Sequence, residues 1–347
     1  MIKIVIADDL TGAFDIAEHG IDLFDKIKVI PYPPENFNMK KENVDLLVFS
    51  TETRNVTSEE ARDRIINFLE KIKDSNYQLI FKKIDSTLRG NVKIENEEFL
   101  KFYRKLCLIP ANPELGRTVE NGLLYINGEE YSKTHYCRTE EKNMKDFLSE
   151  VDGYTPDLKT NEDFKDIVLK LKGNENIFPV GSSGFFREFV KISTTKKSKN
   201  MRRTLKIKGK ILFLNGSLNS VSASDEKLFS DYGIEKVSLE NIPVNSENSL
   251  IVNTKDIKKY FGLFIYKSQL KRLLNNSSFD FVIISGGETL KEFCSLMEIK
   301  EITVNKSIDN GIPAFTHKFG RNFSDVISKP GGYKLSENLI DEDRLHI

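Results

Sequence analysis

Apolar and polar positions alternate between two periods along this chain, and the switching predicts an α/β architecture. Ile2 to Ala7 reads as a buried strand; beyond the ADDLTG turn, Ala13, Ile16, Ala17, Gly20 and Phe24 share one helical face. Val44 to Ser50 is the next predicted strand, and Thr57 with Glu60 three residues later marks a helix start by capping-box spacing. Gln78 to Ile84 is predicted as a strand, Val92 to Leu106 as a charged amphipathic helix, and Leu106 to Pro110 as a return to the sheet. In LLYINGEEY, Asn127-Gly128 sits between two strand-like runs, a hairpin signal because both residues tolerate positive φ. A helix near Glu140 to Glu150 and a strand-loop-helix across NIFPVGSSGFFREFV close the first half.

Ser193 to Lys210 is rich in Lys and Arg and reads as a solvated linker, which places a domain boundary close to residue 205. The α/β rhythm then restarts with ILFLNGS, a helix near Asp225, a long helix from about Thr254 to Leu274, and FVIISGGETLKEF. The expectation is two α/β domains with largely parallel sheets, residues 1–204 and 205–347, with an active site in the cleft between them.

Composition narrows the partners. Lys plus Arg equals Asp plus Glu at 52 each, which argues against affinity built on nucleic-acid phosphates or an anionic membrane. The start, MIKIVIADDL, meets two carboxylates too early for a signal peptide, and no run approaches the ~18 apolar residues of a membrane span. Cys107, Cys137 and Cys294 are spaced too widely for a CxxC metal site, so reduced thiols in a cytoplasmic protein are expected. The four histidines form no HxH or HExxH pattern.

Three polar clusters follow strand-like runs in the first half: Asp8-Asp9-Leu10-Thr11-Gly12, Thr51-Glu52-Thr53-Arg54, and Lys82-Lys83-Ile84-Asp85-Ser86-Thr87-Leu88-Arg89-Gly90. Carboxyl ends of parallel strands share one edge, where ligands bind. If the strands are neighbours, carboxylates, hydroxyls and as many as four cations face one crevice, a combination suited to a small polyhydroxy acid. Read singly, each has a structural alternative: Asp8 or Asp9 as a helix cap, Arg54 as a surface charge, Ser86 or Thr87 as a helix entry. In the second half, Asn215-Gly216-Ser217, Ser285-Gly286-Gly287-Glu288-Thr289 and Lys329-Pro330-Gly331-Gly332 are glycine turns after strands, where a phosphate can approach free N–H groups. Neither GxxxxGK[ST] nor GxGxxG occurs, which removes the Walker class and weakens a nicotinamide-dependent oxidoreductase.

In order, IADDLTGA (6–13), TETRN (51–55), KKIDSTLRGN (82–91), IPANPELGRTVENGLLYING (109–128) and SGGETL (285–290) resemble the four-carbon acid sugar kinase family. The resemblance implies ATP-dependent phosphorylation of the terminal (C4) hydroxyl of an acid such as threonate, erythronate or 3-oxo-tetronate. It implies a sugar-acid-binding first domain contacting substrate through Asp8, Asp9, Arg54, Lys83, Asp85, Ser86 and Thr87. It also implies a nucleotide-binding second domain using Ser217, Gly286, Gly287, Glu288, Thr289 and Gly331. Within that reading Asp9 is the leading candidate base and Asp85 the second, with Lys83 and Arg54 anchoring the substrate carboxylate. Mg2+ is expected to bridge the ATP phosphates, on protein ligands the sequence does not identify. Domain closure would hinge near residues 193–210, and exposed apolar helix faces would admit a homodimer. The family's last turn closes with an aromatic residue and glycine, whereas here Lys334 follows Tyr333. That departure motivates the alternative, a sugar-acid-binding or sensor protein without catalysis.

Overall fold

The computed structural model describes residues 2–31, 43–73, 77–137, 140–148, 153–172, 174, 176–193, 203–254, 263–309 and 312–346. Two compact units, Met1–Asn200 and Met201–Ile347, divide the chain.

The first unit opens with β1 (Ile2–Ala7), α1 (Leu10–Gly20), β2 (Ile27–Ile30), β3 (Leu46–Ser50), α2 (Ser58–Lys73), β4 (Tyr77–Lys83), α3 (Val92–Leu100) and β5 (Lys105–Ile109). It continues with β6 (Arg117–Glu120), β7 (Leu123–Ile126), β8 (Glu129–Glu130), β9 (Gly153–Tyr154), α4 (Asp163–Lys172), β10 (Ile177–Gly181) and α5 (Ser183–Ser193). The main sheet of this unit runs β2-β3-β1-β4-β10-β5-β9 with every pairing parallel. Strand β3 is buried at every position because helices cover both faces of a parallel sheet, hence its uninterrupted apolar sequence. Register aligns the strand ends: Ala7 lies beside Ser50 and Lys83, and Gly181 beside Lys83 and Ile109. The polar clusters that follow β1, β3 and β4 therefore leave the sheet along one edge.

Asn127 (φ 52°) and Gly128 (φ 82°) form the two-residue turn between antiparallel β7 and β8, as the Asn-Gly signal predicts. The predicted cap of α2 is present in half, Glu60 N–H donating to Thr57 Oγ1 at 3.2 Å. On the other side, α5 packs its apolar face on β4. The Phe81 ring meets Phe185 and Phe186 edge-on at centroid distances of 5.3 and 5.2 Å.

The second unit contains β11 (Arg203–Thr204), β12 (Ile207–Gly209), β13 (Ile211–Asn215), α6 (Ser220–Asp231), β14 (Glu235–Val237), β15 (Leu250–Asn253) and α7 (Leu263–Asn276). Then come β16 (Phe281–Ser285), α8 (Gly287–Leu296), β17 (Ile302–Thr303), β18 (Lys306–Asp309), β19 (Ile312–Phe319), β20 (Asn322–Lys329) and β21 (Ile340–Leu345). Its sheet runs β11-β18-β19-β20-β16-β13-β15-β14. The stretch from β14 to β20 is parallel, and β19 pairs antiparallel with both β18 and β20. Here too register aligns the ends: Asn215 lies beside Asn253 and Ser285, and Ser285 beside Lys329.

Several expectations are corrected. Helix α3 stops at Leu100, since Leu106 to Ile109 are apolar at every position and are drawn into the sheet as β5. Around residues 140–148 only a short 3₁₀ turn, Met144–Phe147, replaces the predicted helix; Asn143 and Asp146 form a capping box about that single turn. The basic run is not linker to its end, because Ile207 is a core residue and Ile207–Gly209 pairs with β21. Residues 194–202 of the predicted linker and hinge, and 255–262 of the predicted long helix, lie outside the described residues; α7 begins at Leu263.

Replacing Phe81 by Ala empties the centre of the β4–α5 packing and is expected to cost about 3–5 kcal/mol, read as a lower urea midpoint for the first unit.

Candidate functional site

At the end of β1 the chain turns straight into α1, and Asp9 caps that helix with Oδ1 accepting from Gly12 N–H at 2.7 Å. Asp8 is buried to 2% side-chain exposure. Two adjacent carboxylates at a desolvated strand end repel one another, and the answering cation is Arg54, from the loop after β3. Its Nε donates to Asp8 Oδ2 and its Nη2 to Asp8 Oδ1, both at 2.9 Å, while Nη1 donates to Asp9 Oδ2. Thr53 and Arg54 N–H also donate to the Asp8 carbonyl at 3.0 and 3.1 Å, locking the two loops backbone to backbone.

The loop after β4 joins the same cluster. Asp85 accepts from Arg89 Nε at 2.7 Å and Nη2 at 2.9 Å, and from the Thr87 hydroxyl. Gly90 (φ +92°) packs on Arg54 so closely that a Cβ there would sit 3.0 Å from the Arg54 Cα. Lys83 Nζ donates to the Ile84 carbonyl at 2.9 Å and lies 3.4 Å from where a Cβ on Gly12 would be. Ser86 is half-buried in the same turn. All seven predicted acid-binding residues thus lie at one sheet edge, Lys83 at the end of β4 and the other six on the loops after β1, β3 and β4. Behind them lies an ion pair outside that set, Lys82 Nζ to Glu95 Oε2 at 3.2 Å, with Asn96 Oδ1 at 3.1 Å, all three buried. Its sequence signal was the first lysine of Lys82-Lys83, which the strand alternation turns to the face opposite Lys83.

Environment separates the two candidate bases. Burial pushes the Asp9 carboxyl up to about 6, with the Asp8 charge adding to it and Arg54 and Lys83 opposing. Burial also acts on Asp85, but Arg54, Arg89 and the Thr87 hydroxyl outweigh it and hold that carboxyl far below the usual range. Arg54 feels a burial penalty that Asp8, Asp9 and Asp85 overcome, so it stays charged.

In the second unit the glycine turns converge at the other aligned edge. A Cβ on Gly216 would lie 1.9 Å from Thr289 Oγ1 and 2.6 Å from Thr254 Oγ1. One on Gly331 would lie 2.3 Å from Ser217 Oγ, and one on Gly286 (φ +106°) 3.2 Å from Ser217 N. Gly287 begins α8, whose first turn carries the exposed Glu288 and has no side-chain cap. Ser217, Gly286, Thr289 and Gly331 are brought together, and Gly287 and Glu288 flank them. Beneath them runs a fully buried pair that was not among the predicted site residues. Lys329 Nζ meets Asp225 Oδ2 at 2.8 Å and donates to Ser222 Oγ at 3.2 Å, and Ser222 Oγ donates to the Gly331 carbonyl at 3.0 Å. Burial lowers the Lys329 ammonium, with Asp225 opposing. Bare glycines, unsatisfied helix N–H groups and hydroxyls fit a phosphate chain. Among the described residues no cluster of three or more His, Cys, Asp or Glu is placed to hold a metal.

Residues 3–151 match the family model of the sugar-binding N-terminal domain. Similar curated proteins are the D-threonate kinase of Salmonella typhimurium, 33% identical over 140 residues, and the D-erythronate kinase of Heliobacterium modesticaldum, 30% over 142. The 3-oxo-tetronate kinase of Actinobacillus succinogenes is 31% identical over 140 residues. Each of these three relatives is a kinase of a four-carbon sugar acid. The aligned stretches cover 38–40% of this chain and 31–32% of those kinases, so the chain spans about a third of the relatives' length in these matches. Over nearly the whole chain the fold is that of a Salmonella typhimurium protein (TM-score 0.73, 17% identity, 96% of each chain) and a Haemophilus influenzae protein (TM-score 0.71, 17% identity, 98% of each). Among the described residues no helix is long and apolar enough to cross a membrane.

Because the folded state depresses Asp85, its ion pairs contribute stability above the unfolded carboxylate range and lose it as pH falls below ~4. Asp85→Asn is expected to cost about 2 kcal/mol at pH 7, with the gap to the wild type narrowing as pH falls below ~4, read by urea titrations at successively lower pH.

Proposed function

We propose that this chain is an ATP-dependent kinase that transfers the γ-phosphoryl group to the terminal (C4) hydroxyl of a four-carbon sugar acid such as threonate, erythronate or 3-oxo-tetronate. The observation that carries the reading is Asp9. It is the less buried of two adjacent carboxylates, its basicity is raised to about 6, and it lies within residues 3–151, which match the sugar-binding N-terminal domain.

In this reading the acid's terminal hydroxyl gives its proton to Asp9. Its oxygen then bonds to the γ-phosphorus in line with the departing ADP. Asp85 is a poor second base, because both of its oxygens are held by Arg89 and its charge is stabilised. Arg54 has all three guanidinium nitrogens on Asp8 and Asp9, so its role becomes the positioning of those carboxylates in place of the substrate anchor expected from sequence. Lys83, beside Asp9 with donors to spare, suits the charge that develops on the transferring phosphoryl group. The triphosphate is assigned to the Gly216, Gly286 and Gly331 edge of the second unit. Mg2+ is expected to arrive chiefly on the phosphates, as an ion that keeps most of its ligands from water and nucleotide.

A panel of four-carbon sugar acids in an ADP-release assay is the direct test. Acid-dependent ADP release is expected, and its absence across the panel would remove the kinase reading; acid binding without turnover would leave a binding protein. Turnover should fall as pH drops through about 6, where Asp9 takes up its proton. Asp9→Asn keeps the helix cap but should lower turnover on the order of 10²-fold or more; near-wild-type turnover would remove Asp9 as the base. Gly216→Ala drives a methyl into Thr289 and Thr254 and should abolish ATP binding by calorimetry.

A further inference from the structure

We propose that Arg89 is the residue that receives the carboxylate of the sugar acid and thereby selects an acid over a neutral polyol. The inference rests on the kinase reading above and assigns the one recognition task that reading leaves open.

A carboxylate guest requires a cation with unspent donors, and the three polar clusters of the first unit's edge carry four, while Arg64 reaches that edge spent on the Thr51 and Glu52 carbonyls and on Glu60. Lys82 is buried against Glu95 and Asn96. Arg54 spends Nε, Nη1 and Nη2 on Asp8 and Asp9, and its side chain is 12% exposed. Lys83 is buried, over Gly12 and beside Asp9, which places it with the reacting hydroxyl. Arg89 differs from all three. Its side chain is 48% exposed, Asp85 occupies only Nε and Nη2, and Nη1 has no hydrogen bond among the described residues. Its charge acts on Asp9 and Arg54, so it belongs to the same cluster.

The backbone is shaped around it. Leu88 and Gly90, the residues on either side, both have positive φ, 56° and 92°. A leucine in that region is an outlier, and Leu88 is held there by complete burial. Gly90 locks the far side of the turn onto Arg54. The loop thereby spends strain to fix one half-exposed guanidinium whose own partner, Asp85, orients it from behind. A planar fork held by a carboxylate on one edge presents its remaining N–H groups to a second carboxylate on the other.

The test compares wild type, Arg89→Met and Arg89→Lys on the active four-carbon acid and on the matching four-carbon polyol. Arg89→Met should raise KM for the acid by about 10- to 100-fold, the range for a charged hydrogen-bonded contact, and lower kcat far less. The acid-over-polyol preference should collapse by the same factor. Arg89→Lys should fall between, because an ammonium cannot reproduce the fork, and added methylguanidine should restore part of the loss in Arg89→Met. An unchanged acid KM, or an equal loss on acid and polyol, would overturn the assignment and leave a structural arginine. If the wild type turns over no acid, the kinase reading fails separately. Calorimetry of the acid on wild type and Arg89→Met then decides for Arg89 if only the wild type binds, and against it otherwise.

Discussion

The structure of the first unit depends on one cation between two adjacent carboxylates. Asp8 and Asp9 follow β1 directly, and the sheet edge removes most of their water. Left alone, one of them would have to stay protonated. The guanidinium of Arg54 answers both at once, bidentate to Asp8 and monodentate to Asp9. Because Arg54 belongs to a different strand connection, the ion cluster also closes the sheet edge: the β1 and β3 loops are joined by it, and the β4 loop is pressed on it through Gly90. Breaking one such buried pair leaves an uncompensated charge, so the three loops stand or fall together.

The same constraint sorts the carboxylates by chemistry. Asp8 spends both oxygens on Arg54, and Asp85 spends both on Arg89. Asp9 uses one oxygen for a helix cap and one for a guanidinium edge, and its side chain is more exposed than that of Asp8. A helix cap and a base are therefore not rival readings of Asp9. The backbone donor from Gly12 aims the carboxylate, and burial raises its basicity. The cap and the raised basicity of Asp9 thus come from one turn.

What was legible in sequence was whatever a period or a turn signal encodes locally. Strand β1, the helix face of Ala13, Ile16 and Ala17, and the Asn127-Gly128 hairpin follow from side-chain alternation and backbone sterics, and all are present. The three polar loops after β1, β3 and β4 were legible as clusters because parallel strands put their ends on one edge. Partner choice was not legible. Nothing local says that Arg54 faces Asp8, whereas Arg89 faces Asp85; both are arginines in polar loops, and only the fold decides which is spent and which retains a donor. Helix ends failed where tertiary pairing outweighed propensity, as at Leu106, whose apolar run satisfies a strand and a helix equally.

In the second unit the hidden element is again a buried ion pair, but its work differs. The Lys329 and Asp225 side chains are fully buried, and an ion pair in such a place stabilises little beyond its own desolvation. Its value lies in placement. Lys329 ends β20, Ser285 ends β16, and Ser222 and Asp225 lie on α6; the ammonium and its hydroxyl neighbours tie these to the carbonyl of Gly331. Glycine turns gain access to a phosphate by giving up side chains, and with them the packing that would hold a loop in place. A buried charge network under the turns restores that definition without occupying the space above them. Each unit thus orders the loops at its sheet edge with charge, Arg54 with Asp8 and Asp9 in the first and Lys329 with Asp225 in the second.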